Sequence, residues 1–239
     1  MTSPAILGQL LKPYGLHLRG VLDLTQEEIS TYEFDAGQHQ NDDYVASIAL
    51  VGNIGSSFWA EFTRSPEYRD ERADPLDRWS RRIAQSVAEQ CDAIAIFPFE
   101  GPPYYPFQQW AKRAETIYQS PIGLLIHPDY GLWHAYRFGL LLPRAAPRAQ
   151  ADSPMESPCL SCQTQPCLHT CPVDAFSANG YDVEKCASYL KQTPEALCHQ
   201  QGCQARNACP VGEDYRYETP QHLFHLRAFL KSMGSVSID

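Results

Sequence analysis

The sequence predicts an α+β protein, in which a layered N-terminal domain of strands and helices precedes a small cysteine-rich domain. Apolar runs with the length of strands alternate with helical patterns over the first 143 residues. Eight of the nine cysteines then fall within 51 residues of the C-terminal third. Hydrophobic residues make up 44% of the chain, which is typical of a folded core. We therefore expect domains at residues 1–143 and 158–239, joined by a polar linker at residues 144–157.

Three helices stand out in the sequence. A short one is predicted over residues 3–14, where Ser3 can cap the first turn. The clearest covers about residues 75–89, with Asp74 as its expected N-cap and apolar residues at helical spacing. A last amphipathic helix is expected to open at Thr219.

Apolar runs bounded by turn residues predict the strands of the N-terminal domain. They cover residues 16–24, 45–52, 92–98, 121–126 and 136–142. The aromatic segment 97–110 is rich in proline, which disfavours regular structure there.

Net charge, the length of apolar runs and the N-terminal sequence indicate which partners and which compartment to expect. The formal net charge is −9, whereas a domain that neutralises nucleic-acid phosphates is normally basic, so no nucleic-acid partner is expected. No apolar run reaches the length that spans a bilayer, so no membrane association is expected. The N-terminus lacks a cationic, apolar leader, and we expect a cytoplasmic protein.

The clustered cysteines form two runs, and each run ends in Cys-Pro. The first is Cys159-x2-Cys162-x4-Cys167-x3-Cys171-Pro172, and the second is Cys186-x11-Cys198-x4-Cys203-x5-Cys209-Pro210. Bacterial ferredoxins carry C-x2-C-x2-C-x3-C-P, in which the fourth cysteine binds the other [4Fe–4S] cluster. The runs therefore predict two [4Fe–4S] clusters.

In two-cluster ferredoxins, the last cysteine of each run binds the cluster of the other run. The same assignment gives each cluster four cysteines here. One cluster takes Cys159, Cys162, Cys167 and Cys209, which we call the first cysteine set. The other takes Cys171, Cys186, Cys198 and Cys203, which we call the second cysteine set.

Two other uses of eight cysteines compete with clusters. Two structural zinc ions, each held by four thiolates, would also employ them, although zinc sites do not need the terminal Cys-Pro. A disulfide framework is less suited to a chain without a secretion signal. Nearby histidines are expected to be surface or packing residues, because eight thiolates complete both clusters.

The cysteine-rich region resembles a known family. The segments DVEKCASYLKQ and GCQARNACPVG are similar to the ferredoxin region of epoxyqueuosine reductase, a cobalamin-dependent enzyme, over residues 158–214. The wider spacings before Cys167, Cys203 and Cys209 depart from that family. The helical repeats with which that enzyme holds tRNA are not found after residue 235, so the tRNA substrate is not carried over.

The N-terminal region resembles a different family over residues 45–143. SIALVGNIGSSFWAEF, DPLDRWSRRIAQSV and PIGLLIHPDYGLWHAYRFGLLLPR occur in the order seen in the cobalamin-processing decyanase and dealkylase. Its stretch of His, Pro, an aromatic residue, Gly and Trp matches His127, Pro128, Tyr130, Gly131 and Trp133. The resemblance implies a nitroreductase-like α+β fold that binds a corrinoid, with a ferredoxin-like domain after it.

Six residues are candidates for a cofactor pocket. The resemblance implies a role for His127, Tyr130 and Trp133 in binding the cofactor. Glu100, Tyr104 and Tyr105 lie in the aromatic segment, where tyrosines can stack on a planar ring. The alternatives are a loop histidine satisfied by its neighbours and aromatic rings that pack a rigid loop. No catalytic residue is assigned.

Together these features predict a redox protein. Electrons would enter from an external donor (a ferredoxin, flavodoxin or flavoprotein), pass through two [4Fe–4S] clusters and reduce a corrinoid. Such a protein would be a cobalamin reductase or a cobalamin-dependent reductase. The alternatives are a non-catalytic electron carrier with a degenerate pocket and a flavin-dependent reductase of the nitroreductase type.

Overall fold

The chain folds into two compact units in a computed structural model. The structure describes residues 3–32, 34, 46–143, 156–177 and 180–234. The first unit contains residues 1–116 and 134–154, and the second contains residues 117–133 and 155–239.

These units differ from the predicted domains in one segment. Residues 117–133, expected in the N-terminal domain, group with the cysteine-rich part of the chain. The physical reason is a shared apolar cluster, in which Ile126 and Leu132 pack with Cys167 and Cys209. The predicted linker, residues 144–157, lies outside the described residues except for its last two.

The first unit is built on a four-stranded sheet. Its strands are β1 (His17–Asp23), β2 (Ala46–Ile54), β3 (Ile94–Ile96) and β6 (His134–Pro143). They run antiparallel in the order β1-β2-β6-β3. Ile48, Ala49, Leu50 and Val51 of the inner strand β2 are wholly buried, as expected of its continuous apolar run.

The first unit also contains six α-helices among the described residues. They are α1 (Pro4–Leu11), α2 (Gln26–Thr31), α3 (Trp59–Arg64), α4 (Pro66–Arg69), α5 (Pro75–Cys91) and α6 (Phe107–Ala114). Of these, α1, α5 and α6 pack on the sheet. The long helix α5 packs against β3 and β6 through an apolar face that includes Trp79, Ile83 and Val87. No helix in the described ranges is long and apolar enough to cross a bilayer.

Three expectations from the sequence concern the places where helices begin. Ser3 caps α1 as predicted, because its Oγ accepts a hydrogen bond from the Ile6 N–H at 3.3 Å. Asp74 precedes α5 but makes no side-chain cap, since its backbone lies in the left-handed region with φ at +52°. The proline-rich segment 97–110 is irregular only as far as Pro106, after which α6 begins at Phe107.

Most elements of the second unit are short. The elements are β4 (Tyr118–Gln119), β5 (Leu125–Ile126), α7 (Pro158–Ser161), β7 (Phe176–Ser177), β8 (Gly180–Tyr181), α8 (Val183–Gln192), α9 (Cys198–Gln201), α10 (Gln204–Asn207) and α11 (Thr219–Gly234). Of these, α8 and α11 are the longer helices. Strands β4 and β5 pair with each other, as do β7 and β8. Helix α11 opens at Thr219 as predicted and packs on α8 and α9.

The strand predicted at residues 121–126 is wrong over most of its length. Gly123 has φ at +83°, and its N–H donates to the Ser120 carbonyl at 3.0 Å. The Ser120 N–H in turn donates to the Leu124 carbonyl at 2.9 Å. The apolar run is therefore a tight connection between β4 and β5, and only its last two residues are extended.

Candidate metal centres

The four side chains of the first cysteine set line one small cavity in the second unit. Cys159 lies in α7, Cys167 lies in a 3₁₀ turn at Pro166–Leu168, and Cys209 follows α10. Burial raises the pKa of the Cys159 thiol, and the neighbouring Cys209 and Cys162 thiols raise that pKa further. The fold thus holds together thiols that lie up to 50 residues apart in the chain.

The second cysteine set lines a separate and larger cavity of about 320 Å³. Cys186 lies in α8, Cys198 begins α9, and Cys203 directly precedes α10. Burial is the main cause that raises the pKa of each of these three thiols. Cys171 lines the same cavity, and it raises the pKa values of Cys186 and Cys198 further.

Backbone N–H groups act on sulfur atoms in both sets. The Ala175 N–H donates to Cys171 Sγ at 3.4 Å. The backbone of Gln204 lowers the pKa of Cys198 and the backbone of Val211 lowers the pKa of Cys209, in both cases against the larger rise that burial causes. Donors of this kind stabilise negative charge on sulfur, whether the sulfur is a free thiolate or is bound to a metal.

One hydroxyl group affects the pKa of a cysteine in each set. The Tyr181 hydroxyl lowers the pKa of Cys186 and the Ser157 hydroxyl lowers the pKa of Cys159, in both cases against the larger rise that burial causes. The Tyr181 ring stacks on Phe176 with centroids 4.6 Å apart and planes inclined by 16°. Burial raises the pKa of Tyr181 above its usual range, so the phenol keeps its proton. Neither hydroxyl was identified from the sequence, because Tyr181 and Ser157 match no part of the cysteine pattern.

The donor sets suit iron–sulfur clusters chemically. Four thiolates are the ligand set of a [4Fe–4S] cluster. Within the described ranges, no three His, Cys, Asp or Glu side chains converge as ligands of a single metal ion. The first cavity measures about 20 Å³, room for about one water, so its sulfurs must move apart to admit a cubane. The two groups are those expected from the crossed pattern, and cluster binding itself stays a prediction.

Three of the predicted pocket residues lie in the second unit. The His127 ring stacks on Tyr130, with centroids 4.1 Å apart, and its Nδ1 accepts a hydrogen bond from the Asp129 N–H at 3.0 Å. Trp133 is fully buried. The His127 and Tyr130 rings therefore pack on each other, and the Trp133 ring is enclosed by protein atoms.

Arg206 covers Trp133, and the sequence analysis did not identify it. Its guanidinium lies 4.5 Å from the ring centroid of Trp133 and 4.5 Å from that of Tyr217, and it donates to the Leu132 carbonyl. The sequence indicates Arg206 only weakly, as the one charged residue between Cys203 and Cys209.

The other three predicted pocket residues lie in the first unit. Glu100 and Tyr105 line a cavity of about 370 Å³ together with Thr31, Tyr32 and residues 101–103. Glu100 forms an ion pair with Arg81. Tyr104 is 63% exposed and is not part of that lining.

A buried polar network lies on the sheet of the first unit. Arg19 Nη2 is 2.9 Å from Glu115 Oε2 and 3.2 Å from His134 Nδ1. The Tyr136 hydroxyl donates to the other Glu115 oxygen. Burial raises the pKa of Glu115, and the adjacent Arg19 opposes that rise.

Comparison with known proteins supports the fold. No protein-family model matches the chain, and no curated protein matches it. The structure of a C. elegans B12-trafficking protein CblC, a homologue of human MMACHC, aligns with a TM-score of 0.51 at 13% identity, over 98% of this chain and 97% of that one. The chain therefore shares the mixed helix-and-sheet fold of that protein.

Two structures of epoxyqueuosine reductase also align. One contains a tRNA-Tyr stem loop and gives a TM-score of 0.47, and the other, from Bacillus subtilis, gives 0.46. Both are 17% identical and cover 91% of this chain and 68% of theirs. At these scores the likeness carries no conclusion.

Proposed function

We propose that this chain is an iron–sulfur redox protein that passes electrons through two [4Fe–4S] clusters to a corrinoid. The observation that carries the proposal is the division of eight cysteines into two sets of four, each lining its own cavity. A [4Fe–4S] cluster supplies a one-electron couple, and the surrounding protein tunes its potential.

The crossed order of the ligands supports clusters over unrelated thiol sites. Cys171 ends the first run but lines the cavity of the second set, and Cys209 ends the second run but lines the cavity of the first. Each is followed by a proline, which cannot continue a regular element and directs the chain away from the site. This exchange of the fourth cysteine is the arrangement of two-cluster ferredoxins.

The chain's own groups would serve the clusters in three ways. The thiolates bind the iron, the backbone N–H groups at Cys171, Cys198 and Cys209 stabilise the negative charge, and apolar side chains exclude water. Ile126 and Leu132 perform that last role at the first set, where they line the cavity.

The corrinoid part of the proposal rests on the fold shared with a B12-trafficking protein. A bound corrinoid would supply a cobalt centre as the electron acceptor. The described cavity of the first unit, about 370 Å³, lies at the small end of sites for drug-sized ligands and is too small to enclose a whole corrinoid. Glu100 and Tyr105 could hold only an edge or a side chain of it.

One observation favours the second candidate, a non-catalytic electron carrier. Trp133 is fully buried beneath Arg206 and Tyr217, and His127 is stacked on Tyr130. These rings are occupied by contacts within the protein. A carrier would need only the two clusters and a partner protein.

The test is anaerobic spectroscopy of the full chain with iron, sulfide and zinc analysis. The proposal expects about eight irons and eight sulfides per chain, since two cubanes carry four of each. Zinc without visible absorption would overturn it. Hydroxocobalamin is then added with a reductant: a spectrum that shifts on binding and is reduced supports the corrinoid acceptor. Clusters that undergo redox cycles while the corrinoid stays free would leave the electron carrier.

A further inference from the structure

We propose that Arg206 is the counter-ion of the cluster in the second cysteine set and raises the reduction potential of that cluster. The inference rests on the proposed function, because it requires a cluster in that set. It goes beyond the proposed function by giving one side chain control over one of the two potentials. It follows from the position of Arg206 and from the charges in the walls of the two cavities.

Arg206 lines the same cavity as the four cysteines of the second set. It lies in α10, which begins directly after Cys203. Of the described residues in this lining, Arg206 is the only Arg, Lys, Asp or Glu. The described lining of the first cavity contains none of these four residue types. The wall of the second cavity therefore carries a permanent positive charge that the wall of the first does not.

Contacts within the second unit hold the guanidinium in place. It lies 4.5 Å from the ring centroids of both Trp133 and Tyr217, and it donates to the Leu132 carbonyl. None of these groups carries a negative charge. Arg206 forms no ion pair with a described carboxylate. Its Nε is buried and has no hydrogen-bond partner among the described residues.

An anion in the second cavity would satisfy both of these features of Arg206. A partly buried charge is costly without a counter-ion, and a buried donor is costly without an acceptor. Arginine does not lose its proton in proteins, so the charge is not removed in that way. A cluster held by four thiolates is an anion with sulfur acceptors. The residues present therefore fit a cluster in the second set.

The direction of the effect follows from charge. Reduction adds one electron to a cluster and makes it more negative. A cation in the cavity wall therefore stabilises the reduced state more than the oxidised state and raises the reduction potential. The effect weakens with distance, so Arg206 should act mainly on the cavity that it lines. Solvent exposure also tunes potentials, so each variant is compared with wild type at the same reduction step.

The experiment is a dithionite titration of the reconstituted full chain, monitored by electron paramagnetic resonance. At the wild-type midpoint, Arg206→Leu is expected to lower the reduced-to-oxidised ratio of one step by about tenfold, equivalent to about 59 mV for one electron. Arg206→Gln removes the same charge but keeps an N–H donor, and it should move the same step. That step should be absent from Cys171→Ser with Cys186→Ser, which leaves only the first set intact.

Two controls separate charge from packing. Arg206→Lys keeps the positive charge but loses the flat group between the two rings. It should therefore keep most of the potential while the protein is less stable than wild type. Arg227→Leu removes an exposed positive charge from α11, outside both cavity linings. Because water and salt screen an exposed charge, this variant should leave both potentials unchanged.

The outcomes distinguish this inference from the proposed function. Wild type without iron and sulfide overturns the proposed function before any variant is made. Two clusters whose potentials stay unchanged in the neutral variants, move equally, or fall as far in Arg206→Lys overturn the inference alone. If the wild-type steps coincide, Arg206→Leu should split them, and a single unsplit step overturns the inference. Loss of about four irons in both neutral variants but not in Arg206→Lys would support it, because the charge itself would then hold the cluster.

Discussion

Gly131 lies so close to Val211 that a Cβ atom on Gly131 would approach the Val211 carbonyl oxygen to 1.9 Å. The contact is reciprocal, since a Cβ on Gly212 would meet the Tyr130 carbonyl carbon at 2.3 Å. Both glycines have a positive φ, +57° and +70°. The loop after β5 and the loop after Cys209 therefore interlock through backbone atoms, beside the first cysteine set.

Gly131→Ala is expected to destabilise the second unit by at least about 2 kcal/mol, because it adds left-handed backbone strain and a clash with backbone. The first set should lose iron more readily, since Val211 follows Cys209 closely. The measurements are thermal unfolding and iron content under anaerobic conditions. Gly123→Ala is the matched control, because Gly123 has φ at +83° but open space around it. Equal losses in both variants would show that the loop contact has no effect of its own.

Pairs of cysteine substitutions test the crossed ligand assignment. Cys171→Ser with Cys186→Ser removes two ligands from the second set and should leave about four irons per chain. Cys171→Ser with Cys167→Ser removes one ligand from each set and should leave few or none. Iron analysis distinguishes the two variants. Four irons in the second variant and none in the first would mean that each run binds its own cluster.

Arg206→Leu should lower the free energy of unfolding by about 2–4 kcal/mol. The change removes two cation–π contacts and leaves the Leu132 carbonyl without its donor. Arg206→Lys should recover only part of the loss, because an ammonium lacks the flat face that stacks between two rings. The exposed Arg227 supplies the control, and Arg227→Leu should change the unfolding free energy by no more than about 0.5 kcal/mol. Chemical denaturation followed by circular dichroism measures all three, and an Arg206→Leu chain as stable as wild type would contradict the role given to the stack.

Arg19→Leu should destabilise the first unit by about 3–5 kcal/mol, because it removes the guanidinium charge that faces the buried Glu115 carboxylate. The control is Arg64→Leu, which removes an exposed ion pair with Glu61 and should cost less than about 1 kcal/mol. Urea denaturation at pH 7 compares the two. Similar losses would mean that burial of the Arg19 pair does not matter.

The pH dependence of stability should reveal Glu115. Its pKa in the folded protein is raised, so the folded chain holds this proton more tightly than the unfolded chain. The stabilisation is therefore present below the ordinary carboxyl pKa of 4.5 and is lost as the pH rises through the raised value. Glu115→Gln lacks this proton, and its stability relative to wild type should improve as the pH rises above about 4.5. Parallel stability profiles for the two proteins from pH 4 to pH 8 would contradict the raised pKa.

The sequence predicted best those features that depend on nearby residues. The inner strand β2 is a continuous apolar run, and Ser3 caps a helix only three residues away. The prediction of a strand at residues 121–126 was wrong over most of its length, because the positive φ of Gly123 interrupts extended backbone despite the apolar pattern. Helix α6 was not predicted, because the prolines before it were interpreted as a sign of irregular structure. Proline also occurs at the start of a helix, as Pro106 does here.

Features that depend on distant residues were predicted only where a pattern already linked them. The two Cys-Pro endings allowed the grouping of eight cysteines to be expected in advance. No comparable pattern links Arg206 to Trp133 or Arg19 to Glu115, because these contacts join residues far apart in the chain. The six pocket candidates fall into two units, because no sequence pattern indicates that residues 117–133 group with the cysteine-rich part of the chain.

The order in which the eight clustered cysteines are synthesised has a consequence for the assembly of the two metal centres. Cys171 completes no set when it is made, because its three companions all follow it in the chain. The second set becomes complete at Cys203 and the first only at Cys209, six residues later. Under the proposed function, the thiols of both sets are available only after nearly the entire cysteine-rich region has been synthesised, and the two clusters are then expected to load together rather than in sequence.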